Sequence, residues 1–115
     1  MRSKAKQCWR NAFLSLKAYP QAEYIEGWIV TSDILALEHG WLELHGEVIE
    51  VTIPGEVLRY FPALRLNIEQ AYSQAEKYKS LPLVWNMLSE NEGAEYRKAQ
   101  SAALAFCERE VRSEK

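Results

Sequence analysis

Three side chains of this 115-residue chain have the types that carry out acyl chemistry: the thiol of Cys8, the imidazole of His39 and the carboxylate of Glu50. A thiolate attacks a carbonyl carbon. An imidazole takes the thiol proton and returns it to the leaving group. A carboxylate holds the imidazole in the tautomer that can do so. The three residues are far apart in sequence, so the chemistry depends on elements that bring them together.

The elements around His39 can be read from alternation. EHGWLELHGEVIEVT, residues 38–52, reads as a hairpin with a two-residue bend at His45-Gly46. Leu42 and Leu44 point one way, and His39, Trp41 and Glu43 point the other, toward a face that does not look like core. On the returning strand Ile49, Val51 and Ile53 share a face. Matching the two apolar faces sets Leu42 opposite Ile49, the register that the bend also gives. A one-residue slip would bury the unpaired carboxylate of Glu50 among leucines. In this register Trp41 faces Glu50 and His39 faces Thr52. Glu50 is then the diagonal neighbour of His39, at roughly 5–8 Å between Cβ atoms. Glu43 sits four residues along the strand, on the order of 13 Å away.

Cys8 belongs to a first helix expected from about Ser3 to Ala18. Ser3 is its N-cap, and Ala5, Cys8, Trp9, Ala12, Phe13 and Leu16 form one apolar face. Near the start of that helix the dipole and a neighbouring imidazolium would both favour thiolate. Cys107 lies late in the last helix, where the dipole disfavours an anion. Tyr19-Pro20 ends the first helix.

The remaining elements complete the outline. Ala22–Val30 reads as a strand and Thr31-Ser32-Asp33 as a turn. Tyr60–Leu66 is a short fourth strand, which Pro62 confines to an edge or makes irregular. Asn67 caps a helix with Ile68, Ala71, Tyr72 and Ala75 on one face. A shorter helix follows Pro82, and Asn91-Glu92-Gly93 breaks it. A last helix over 94–113 buries Tyr96, Ala99, Ala103, Phe106, Cys107 and Val111. The expected class is α+β, one domain over 1–115. An N-terminal helix packs on a three- to four-stranded antiparallel sheet (1–66), and a helical part follows (67–115).

Composition bounds the function classes. Apolar residues make up 48% and charged residues 26%, as in ordinary globular proteins. The net charge of −2 argues against nucleic acid as the main partner. No apolar run approaches the roughly 18–20 residues of a membrane span. The basic start, MRSKAKQCWRNAF, lacks the apolar core of a secretion signal, so a cytoplasmic chain with two free thiols is expected. No glycine-rich phosphate loop points to a nucleotide cofactor. Cys8, His39, His45 and Cys107 show none of the spacings of a metal site, so no cofactor or metal is expected. Trp9, Trp28, Trp41 and Trp85 suit either a core or a groove.

The stretches Cys8-Trp9-Arg10-Asn11-Ala12-Phe13, His39-Gly40-Trp41-Leu42-Glu43 and Glu50-Val51-Thr52 resemble the papain-like and transglutaminase-like cysteine hydrolase superfamily. That superfamily includes bacterial cell-wall amidases of the NlpC type. The resemblance covers about the first 55 residues. It implies Cys8 as nucleophile, His39 as base and Glu50 as orienting acid, with Gln7 and Trp41 beside the oxyanion or substrate. The substrate would be an amide, isopeptide or ester of a peptide or protein. This chain departs from the pattern in three ways. Glu50 replaces the usual Asp or Asn, Gly40 stands where Ala is common, and Gln7 is directly adjacent to Cys8. The alternative expectation is a catalytically inactive interaction module on the same fold, using a strand edge, the C-terminal helices or an aromatic surface near Trp41 and Tyr60.

Overall fold

The computed structural model describes residues 8–49, 56–79, 81–83 and 91–113. Helix α1 (Cys8–Ser15) is followed by strands β1 (Glu23–Thr31), β2 (Ala36–Leu44), β3 (Glu47–Ile49) and β4 (Val57–Leu66). Helices α2 (Ile68–Tyr78) and α3 (Asn91–Ser113) complete the fold. The strands form one antiparallel sheet in the order β3-β2-β1-β4. The molecule is α+β, as alternation followed by helical periodicity requires.

The hairpin has the expected register. Leu42 pairs with Ile49, Glu43 with Val48 and Leu44 with Glu47. The bend uses His45 at φ 53° and Gly46 at φ 82°, the two positive values that a tight primed turn needs. Glycine adopts such a φ without steric cost, and histidine tolerates it better than branched residues do.

The long central strand β1 is buried along nearly its whole length, because both faces of the sheet are covered. On one face Tyr24, Leu42, Leu64 and Leu66 pack with Ala12 and Leu16 of α1, Ala71 of α2 and Leu83. Helix α3 lies over the same face, with Tyr96 against Trp28 and Phe106 against Phe61. On the other face Ile25, Ile29 and Trp41 form a second, smaller core with Val57 and Tyr60 beside it.

Strand β4 is longer than the expected 60–66. It pairs with β1 at the end of the sheet, so Pro62 does sit on an edge strand. The pairing shifts next to it: Glu26 opposes Leu64 but Gly27 opposes Pro62, so Ala63 is the extra residue of a bulge. Asn67 caps α2 as expected. Its side chain accepts from the Gln70 N–H, and the Gln70 side chain accepts from the Asn67 N–H.

Two expectations are corrected. Asn91-Glu92-Gly93, expected as a break before a helix starting at 94, forms the first turn of α3 itself, with Gly93 buried. Val111 is exposed, because the covered face of α3 stops short of its last turn. The Ser3 cap and the short helix expected after Pro82 fall largely on residues 1–7 and 84–90, outside the described residues.

Candidate functional site

His39 lies in β2, directly opposite Gly27 of β1, which in turn opposes Pro62 of β4. It is 2% exposed. Its ring stacks on that of Trp41, 6.0 Å between centroids and 20° between planes. Trp41 is fully buried and meets Tyr60 at 4.8 Å. The side of the hairpin that alternation assigned to non-core is therefore a core of its own. An aromatic surface at Trp41 is ruled out for the same reason. The Trp41 indole N–H is buried and has no hydrogen-bond acceptor among the described residues. Such a donor is costly to leave unsatisfied.

Gly40 alternates with His39 and faces α1. A Cβ on Gly40 would come within 2.7 Å of Trp9 Cδ1 and 3.0 Å of Trp9 Cα. Only glycine lets the helix come that close. Trp9 follows Cys8, and Gly40 follows His39, so the first described turn of α1 abuts the residue next to the candidate base. The same alternation sends the His39 ring to the face opposite α1. The Cys8 side chain, Gln7 and Glu50 lie outside the described part of the chain. The described pairing of β3 ends at Ile49, one residue short of Glu50.

Two carboxylates on the α1 side escaped the sequence reading. Glu26 is fully buried. Its Oε2 accepts from the Tyr24 hydroxyl and, at 2.6 Å, from the Leu83 backbone N–H. Glu38 accepts from the Tyr96 hydroxyl of α3. Parity with Tyr24 and Trp28 on a strand buried on both faces was the available signal for Glu26. Nothing local announces Leu83, which lies 57 residues away.

Glu43 is engaged elsewhere. Arg65 donates to Glu43 at 2.7 Å and to Glu23 at 3.2 Å, joining β4, β1 and β2 across the His39 face. Both carboxylates raise the affinity of Arg65 for its proton, the hydrogen bond to Glu43 most of all. Cys107 lies half-buried in α3, where burial pushes its thiol pKa up and makes it a poor nucleophile. His45 is exposed at the turn. Among the described residues no three His, Cys, Asp or Glu side chains converge as metal ligands. Among the same residues no helix is long and apolar enough to cross a membrane.

No family model, curated protein or solved structure matches the chain.

Proposed function

We propose that the chain is a cysteine-dependent hydrolase or acyltransferase acting on an amide, isopeptide or ester bond of a peptide or protein. The contact of Trp9 with Gly40 carries this reading: the residue after Cys8 packs against the residue after a buried histidine. In the proposed step Cys8 Sγ forms a bond to the acyl carbon. The C–N or C–O bond breaks, and His39 passes the thiol proton to the departing amine or alcohol. Water or an amine then opens the thioester. Glu50 holds the imidazole. The Trp41 indole N–H, without an acceptor among the described residues, supports a role as oxyanion donor, alongside Gln7 and the Cys8 backbone.

A second reading, a non-catalytic interaction module, is favoured by one observation: alternation turns the His39 ring away from the face that α1 covers. Exposure to p-nitrophenyl acetate separates the two. The enzyme reading expects a burst of nitrophenolate and an acetyl group on Cys8 by mass spectrometry. Both are lost in Cys8→Ala and His39→Asn. A rate equal in wild type and both variants leaves only the module.

A further inference from the structure

We infer that the outer edge of β4, with the cleft between that strand and α3, docks an extended acidic segment of another polypeptide that adds a strand to the sheet. This holds under either reading of the Cys8 region, because it uses none of the same residues. Strand β4 runs for ten residues, and among the described residues no strand pairs with its outer side. A row of unpaired N–H and C=O groups is a template for another chain. Pro62 has no N–H to offer, and the pairing with β1 shifts on both sides, at Ala63 and at Leu58, so an incoming strand has its continuous register along Arg59–Phe61.

An open cleft of about 230 Å³ lies beside that same half of the strand. It is lined by Arg59, Phe61 and Pro62 on one side and by Lys98, Ala99 and Ala102 on the other. The two alanines leave room for side chains of an added strand that point toward α3. The lining charge decides what those side chains are. The Arg59 guanidinium lies over the Phe61 ring at 5.6 Å and the Phe106 ring at 5.7 Å, and makes no ion pair among the described residues. Lys98 is largely exposed and reaches Glu95, which also lines the cleft, only at 3.9 Å. Two cations against one carboxylate favour an acidic occupant. Arg59 is already set on two rings, so less freedom is lost when it pairs with a carboxylate. Leu58, 45% exposed beside that stretch, adds an apolar contact.

The test titrates the ¹⁵N-labelled full chain with a capped peptide of alternating Glu and Val, and with its Lys-for-Glu counterpart. The expected result is that amides of residues 59–61 shift and become protected from exchange with the Glu peptide alone. Arg59→Glu and Lys98→Glu, both at exposed positions, each weaken binding by about tenfold, and Ala102→Leu weakens it by filling the cleft. Four results overturn the inference: no binding of the Glu peptide, equal binding of the Lys peptide, shifts confined to other elements, or a peptide-free dimer through β4, which makes a second copy the occupant.

Discussion

At the scale of single residues, Gly40 sets how closely α1 approaches the sheet. An alanine there would drive its Cβ into Trp9, whose Cα belongs to the helix backbone and has little room to move. Gly40→Ala is expected to destabilise the fold by about 1–3 kcal/mol, the usual range for overpacking, read from the midpoint of urea unfolding. Glu26 poses the opposite case, a carboxylate with no route to water. Glu26→Ala leaves the Leu83 N–H without its acceptor in a dry site, at about 1–3 kcal/mol. Glu26→Gln keeps an acceptor oxygen and costs less. Equal losses in the two variants would mean that charge, and not hydrogen bonding, holds the segment at Leu83.

At the scale of elements, the hairpin was the most legible part of the sequence. Leu42, Leu44 and Ile49 have only one register that keeps Glu50 out of the leucines, and a two-residue turn agrees with it. The Asn67 cap was equally local. Asn67→Ala removes one half of a reciprocal pair and is expected to cost about 1 kcal/mol, measured by thermal unfolding. What could not be read depended on distant chain. His39 and Trp41 look like a solvent face because a strand pattern does not say what covers it. The partner of β4 is β1, not the β3 that precedes it, and periodicity cannot choose between them. The Arg65 bridge follows from that pairing. Glu23 and Glu43 are cross-strand partners of like charge, and Arg65 reconciles them. Arg65→Ala should therefore cost about 1 kcal/mol, above the norm for an isolated surface pair, and less as salt is added. A cost unchanged by salt would assign the effect to packing.

At the scale of the whole molecule, the account rests on an activated thiol at Cys8 served by His39. The chain carries its own control. Burial raises the Cys107 thiol above its ordinary value and disfavours its thiolate near neutral pH. The sign for stability follows: its raised pKa contributes to folding while the thiol is protonated, and that contribution fades as pH rises above about 8.5. The direct measurement is the rate of iodoacetamide labelling at each cysteine across pH, in wild type and in His39→Asn. The account predicts that Cys8 is labelled selectively below about pH 7, and that His39→Asn returns it to a midpoint near 8.5. Labelling of Cys8 that rises only near 8.5 in both proteins would contradict it.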